Sequence, residues 1–262
     1  MKKMFIAAAT LALTAGTAFA APVRIASEGA YPPYNLVNDS GDLDGFDIAV
    51  GNEVCKRAEL ECVWVKNDWD SILPNLKSSN YDAIMAGMSI TEERQQEIQF
   101  TQNYFPPAAS AYAALSADTS VAEDAVVAAQ TATIQAAHVA ESGATLLEFA
   151  TPDETVSAVR NGEADAVFAD KDFLEPIVTE SNGELSWVGD DVPLGGGIGI
   201  GLRQSDTELR DQMNAALTEM KEDGTLNALI EEWFIEGAMY FGPDGEAVEK
   251  ADAEIGELPA AE

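Results

Sequence analysis

Read for the spacing of apolar positions, the 262-residue chain alternates between strand-like and helix-like periods. Residues 23–27 (V-R-I-A-S) alternate apolar and polar positions and predict a strand. Phe46, Val50 and Val54 lie four apart and predict a helix over 46–60, and 62–65 (C-V-W-V) predict a second strand. N-D-W-D then leads into a helix through Leu76, with Trp69 in the connecting loop. Residues 82–86 predict a short buried strand ended by Gly87. Thr91 follows as a candidate N-cap, with Glu92 and Glu93 suited to the first helical turn. Residues 125–129 predict a further strand, and Q-T-A-T-I-Q-A-A-H a turn into a helix. Leu209, Met213, Leu217 and Met220, then Leu226, Ile230 and Trp233, share one face of a helical stretch over 206–234 that Gly224 interrupts. Residues 237–262 are acidic and poor in large apolar residues, which predicts a mobile tail.

The chain also repeats itself. L-K-S-S-N-Y-D-A-I-M-A-G begins at Leu76 and V-R-N-G-E-A-D-A-V-F-A-D at Val159, so Asp82 matches Asp165, Ala83 matches Ala166 and Ile84 matches Val167. Both copies read as helix end, turn and buried strand; Gly87 closes the first and Asp170 the second. The expected organisation is α/β with two lobes of similar build. The first lobe takes residues 21–107 and the return segment 199–236, the second takes 108–198, and 237–262 is the tail. Pro106 and Pro107 mark one crossing between lobes, and G-G-G-I-G-I-G-L from Gly195 the other. That run does not match G-x-G-x-x-G, so a phosphate loop is a poor reading of it.

Composition narrows the class. A chain that is 47% hydrophobic and 8% aromatic is globular. Its formal charge of −32 argues against nucleic acid or an anionic membrane as partners, both being polyanions. Lys2 and Lys3, an apolar run from Phe5 to Leu13 and A-F-A at 18–20 form a secretory signal peptide over 1–20, cleaved after Ala20. Export makes a bridge possible between Cys55 and Cys62, the alternative being two free buried thiols. His138 is the single histidine, and without a Cys/His cluster a metal site is not expected.

The chemistry gathers around Arg94. A cation in the first turn of a helix opposes the macrodipole, so something else must hold it there. A bound carboxylate would do so: Ser89, Thr91 and free backbone N–H groups converge on the same place, and a guanidinium matches a carboxylate with two prongs. The alternative is a surface arginine paired with Glu92, Glu93 or Glu97.

The stretches G-F-D-I-A-V-G-N-E-V-C-K-R and G-M-S-I-T-E-E-R-Q-Q-E-I-Q-F resemble the periplasmic polar-amino-acid-binding proteins of ABC importers, extracellular solute-binding protein family 3. The nearest likeness is to the lysine/arginine/ornithine-, histidine- and opine-binding members, over about residues 23–234. The resemblance implies a type II two-lobed fold with a two-strand hinge and a cleft that closes on one small zwitterion. It implies the Cys55–Cys62 bridge, a periplasmic location, an ABC permease as partner, a monomer, and neither cofactor nor catalysis. It assigns Arg94, helped by Ser89, Thr91 and Thr133, to the ligand carboxylate, Asp170 to the α-ammonium, and Gly87 to backbone contacts. Tyr31 and Trp69 would sandwich the ligand side chain, and Glu28 would face its cationic end. Against these stand plainer roles: core packing for Tyr31 and Trp69, a surface acid at Glu28, a helix N-cap at Asp170. The turn at 131–134 departs from the Gly-Ser/Thr-rich family pattern at Ala132 and Ile134. The implied ligand is arginine, lysine or ornithine; opines, other polar amino acids and compatible solutes are the rivals. A cyclohexadienyl dehydratase-like enzyme is the alternative of another class.

Overall fold

The computed structural model describes residues 21–235 and 237–259. The signal peptide expected at 1–20 lies outside the described residues. Along the first part of the chain run β1 (Val23–Ser27), the short pair β2 (Leu36–Val37) and β3 (Leu43–Asp44), α1 (Phe46–Arg57), β4 (Cys62–Lys66), α2 (Trp69–Lys77), β5 (Ala83–Ile84), α3 (Glu92–Glu97) and β6 (Gln99–Phe105). The chain crosses at 106–108 and continues with β7 (Ala109–Ala114), β8 (Val126–Gln130), α4 (Ile134–Ser142), β9 (Thr145–Phe149), α5 (Pro152–Arg160), β10 (Ala166–Asp170), α6 (Lys171–Glu180) and β11 (Ser186–Pro193). It returns at 194–197 into β12 (Ile198–Leu202), α7 (Thr207–Glu222), α8 (Thr225–Trp233) and a terminal pair, β13 (Tyr240–Phe241) and β14 (Ala247–Val248).

These strands build two five-stranded sheets with one plan, β4-β1-β5-β12-β6 and β9-β8-β10-β7-β11. In each, the first three strands are parallel, the fourth runs against them, and the fifth pairs antiparallel with the fourth. The sequence repeat has a direct counterpart here. Asp82 N–H donates to the Arg24 carbonyl (2.8 Å) and its carboxylate accepts Arg24 N–H (3.1 Å). Asp165 N–H donates to the Val126 carbonyl (2.8 Å) and its carboxylate accepts Val126 N–H (2.8 Å). Each aspartate fixes the register of its strand against a parallel neighbour, β1 in the first lobe and β8 in the second. β12 pairs Ile198 with Phe105 of β6, so residue 198, expected to close the second lobe, already belongs to the first sheet. Glu28, Ala86, Gln130 and Asp170, at or just past the carboxyl ends of β1, β5, β8 and β10, line one cavity, as ligand sites do in open α/β sheets. Cys55 on α1 and Cys62 opening β4 are bridged.

The segment after residue 236 corrects the expectation of a mobile tail. Ala238, Tyr240 and Phe241 are buried, and β13 pairs with β14. The Asn227 side-chain amide bonds the Phe241 and Glu254 carbonyls (2.9 and 2.8 Å), and its carbonyl accepts Phe241 N–H (2.9 Å). Gly224 turns the chain at φ 75°, and a Cβ there would lie 2.5 Å from Gly256 N, so both the turn and the close approach require glycine. Average composition hid this because two aromatics and one well-placed amide suffice to dock a short hairpin. Asn227→Leu should leave those backbone groups unpaired at a cost of roughly 2–4 kcal/mol and release the hairpin. Limited proteolysis followed by mass spectrometry should then show rapid cutting at 242–246; an unchanged cleavage pattern would contradict the role given to Asn227.

Candidate functional site

Between the two lobes lies a partly open cavity lined by residues of both. Glu28, Tyr31, Trp69, Gly87, Ser89, Arg94, Thr133 and Asp170 all line it. Thr91 does not. Its hydroxyl accepts the Arg94 N–H (3.1 Å) as the N-cap of α3, so it orients the helix and leaves the cavity to Arg94 itself.

The Arg94 guanidinium donates to the carbonyls of Ser89 (2.9 Å) and Ala132 (3.3 Å) and lies 5.3 Å from the Trp69 ring centroid. No carboxylate of the described residues lies within ion-pair distance of it; Glu97, a candidate surface partner, pairs with Lys77 instead. Burial pulls its pKa down to about 10, against the opposing pull of Asp170 and Glu93. A half-buried cation held by neutral carbonyls and an aromatic face is chemically suited to receive an anion.

Asp170 ends β10 and stands at the start of α6, yet its side chain makes no cap bond there. Its oxygens accept the Tyr31 hydroxyl (2.8 Å) and the Gln135 amide (3.0 Å) from across and within the lobe. Burial raises its pKa to about 6, with Tyr31, Arg94 and Gln135 pulling the other way. Arg94 and Asp170 thus lie within each other's field and form one polar end of the cavity.

Glu28 is buried at 4% exposure, so it is not one more surface acid. Oε1 accepts the Gln130 amide (2.7 Å), and no cation of the described residues pairs with it. Burial raises its pKa to about 7, with Asp68 and Asp153 adding to the rise and Gln130 and Lys66 opposing it. Gln130 also donates to the Ala150 carbonyl (3.1 Å), whereas Asp170 is held by Tyr31 and Gln135, so the two carboxylates have different partners.

The remaining cavity residues also make bonds and contacts within the protein. Trp69 is the first residue of α2 and not a loop residue, because Asp68 takes the N-cap position; its Nε1 donates to the Thr131 carbonyl across the cleft (3.1 Å). The Tyr31 ring stacks on Phe173 with centroids 4.4 Å apart. The Gly87 N–H is directed into the core, to Asp47 Oδ2 (2.9 Å), so this glycine cannot offer its donor to a ligand. Asp47, fully buried, also accepts from Tyr104 (2.6 Å) and from the Asn35 side-chain amide (2.9 Å), and Asn35 Oδ1 accepts Gly29 N–H (2.7 Å). One carboxylate therefore fixes both loops that carry Glu28 and Gly87. The Thr133 hydroxyl accepts Ala136 N–H (3.1 Å) as the N-cap of α4 and donates to the Gln130 carbonyl (2.7 Å).

Sequence reasoning missed Gln130 and Gln135. The available signal was positional: Gln130 ends a buried strand at its carboxyl end, and both flank the turn at 131–134. It also missed Asp47, an acid among the apolar positions of α1. Among the described residues no group of three metal-ligating side chains comes together. His138 lies against Phe168 (5.3 Å) and does not line the cavity.

Ala132 occupies the left-handed region at φ 56°, where the resembled family's Gly-rich pattern would sit without strain. Ala132→Gly should relieve about 1–2 kcal/mol of strain and lose part of it to the freer unfolded chain. The expected net result is a melting temperature about 1–4 °C higher by calorimetry; a lower one would contradict the strained turn.

Residues 23–236 match the family described as bacterial extracellular solute-binding proteins, family 3. The chain is 34% identical over 259 residues to the histidine-binding periplasmic protein of Escherichia coli K12, covering 89% of this chain and 97% of that one. It is 34% identical over 253 residues to the lysine/arginine/ornithine-binding periplasmic protein of the same organism, with the same coverage. A crystal structure of a periplasmic His/Glu/Gln/Arg/opine family-binding protein from Silicibacter pomeroyi, in complex with lysine, is 66% identical. It superposes with a TM-score of 0.82 over 84% of this chain and 100% of that one.

Proposed function

The chain belongs to the bacterial extracellular solute-binding proteins of family 3, and from that membership we propose that it captures one basic α-amino acid for an ABC importer. The observation that carries this reading is a set of charged side chains without ion-pair partners around one cavity. Arg94 bonds only carbonyls, Asp170 accepts from Tyr31 and Gln135, and Glu28 accepts from Gln130, and all three line the same space. An α-carboxylate on Arg94, an α-ammonium on Asp170 and an ammonium or guanidinium on Glu28 would satisfy all three. Free N–H groups at the start of α4 support the carboxylate end. The lysine of the Silicibacter pomeroyi complex and the basic ligands in the relatives' names support the same class.

The importing context is part of the same proposal. Residues 1–20 serve as the cleaved signal, the mature monomer works in the periplasm, and a membrane permease receives the closed, loaded form. The protein has no catalytic role in this reading. A solved ancestral protein described as a precursor of cyclohexadienyl dehydratase shares the fold at 26% identity, but the lone histidine stands outside the cavity. A second ligand class has one observation in its favour. Ile134 puts a branched apolar side chain on the cavity wall beside the carboxylate end, which suits an opine carrying an extra substituent on its α-nitrogen.

A thermal-shift series with arginine, lysine, ornithine, histidine, glutamine and an opine tests the reading. A ligand that binds only the folded state raises the melting temperature with its concentration. Basic amino acids are expected to give the largest shifts; a shift with glutamine alone, or with none of the basic set, overturns the assignment.

A further inference from the structure

Phe173 sits in the first turn of α6, fully buried, and does not line the cavity. Its ring stacks on Tyr31 with planes 15° apart. Tyr31 belongs to the other lobe, in the loop after β1, and packs against the apolar cores of both lobes. Tyr34 continues the column, its centroid 5.7 Å from that of Tyr31, and its hydroxyl reaches Asp172 Oδ2 (3.4 Å). An aromatic column of Tyr34, Tyr31 and Phe173 therefore crosses the cleft beside the cavity. These contacts join protein to protein, and opening the cleft would return the facing surfaces of Tyr31 and Phe173 to water.

We propose that Phe173 is an affinity-determining residue: by stacking on Tyr31 across the cleft it sets the free energy of lobe closure, and so scales affinity for every ligand by one common factor. The reason is arithmetic. Where only the closed form grips a ligand, apparent affinity is the intrinsic affinity multiplied by the closed fraction. A side chain that touches ligand discriminates between ligands; one that acts on closure alone cannot. The affinity readout rests on the proposed binding function, whereas closure itself can be read without ligand.

Phe173→Leu keeps apolar bulk in the second lobe's core and removes the ring stack; Phe173→Ala goes further. Dissociation constants and off-rates for L-arginine and L-lysine are to be measured in both variants. Distances between spin labels at the exposed positions Asp39 and Glu163 are to be measured in ligand-free protein. The expected result is a Kd raised by the same factor for both amino acids, about threefold to tenfold for Phe173→Leu and more for Phe173→Ala. The change should lie in the off-rate, and the closed component of the ligand-free distances should shrink. Unchanged Kd with a lowered melting temperature would reduce Phe173 to a core residue. Unequal factors for the two amino acids would make it a ligand contact. A ligand-free distribution with no closed component, or one unchanged in the variants, overturns the proposal. If wild type binds neither amino acid, the proposed function falls, and the ligand-free distances still decide the column's role.

Discussion

Replacing Arg94 with alanine is expected to weaken binding of arginine and lysine about thirtyfold or more while the protein stays folded. Helix α3 buries none of its residues, so losing this side chain removes little of the core. The guanidinium contributes two bonds to carbonyls and a contact with Trp69, and none of these neutralises its charge. Burial already drags its pKa down to about 10, the mark of a cation waiting for an anion. Losing a desolvated charge pair of this kind costs about 2–5 kcal/mol, or roughly thirtyfold to several thousandfold in affinity. Because the empty site holds the cation at a cost, the ligand-free melting temperature should stay level or rise. Arg94→Lys keeps the charge without the two-pronged geometry and should fall between the two. Calorimetry showing near wild-type affinity in Arg94→Ala would refute the carboxylate clamp.

Glu28→Gln is the second large effect, and it is selective. The substitution keeps the shape and removes the charge from a side chain at 4% exposure. Affinity for arginine and lysine should fall by about 2–3 kcal/mol, and glutamine binding should hold or improve. An exposed charge would instead change affinity by less than about 1 kcal/mol and lose its effect in salt. The pH dependence has a definite sign. In the empty protein Glu28 titrates at about 7 and Asp170 at about 6, both raised chiefly by burial. A cationic ligand needs both ionised, so binding below these values must release protons and affinity should fall as pH drops from 8 to 5. Folding runs the other way. With folded pKa values above those of the unfolded chain, these groups stabilise the empty protein at low pH, and that contribution is lost as pH rises through about 6–7. Calorimetry in buffers of different ionisation enthalpy measures the released protons. Glu28→Gln should remove the upper step. Equal loss for arginine, an opine and glutamine would make Glu28 structural.

Local pattern carried the architecture. Period two found β1, period four found α1 and α7, and a twelve-residue likeness found the strand that each lobe sets beside its first. Arg94 stood out because its charge conflicts with its own helix. What local pattern could not supply is the far partner of each polar group. Gly87 is bound by Asp47 at a separation of 40 residues, Glu28 by Gln130 at 102, and Tyr31 by Asp170 at 139. The first of those bonds forms only when the first lobe has folded and the other two only when the lobes meet, so nothing near either residue announces it. Thr91 failed for a related reason: a hydroxyl at a helix start can cap the helix or meet a ligand, and the sequence alone does not separate the two. The docked hairpin was invisible to composition because Tyr240 and Phe241 are few among many acids.

A crystal structure of the protein grown with L-lysine should place the lysine carboxylate within hydrogen-bond distance of the Arg94 guanidinium, its α-ammonium on Asp170 and its ε-ammonium on Glu28. A lysine lying in the reverse direction, with its α-ammonium on Glu28, or a cavity that stays empty at saturating lysine, would contradict this assignment.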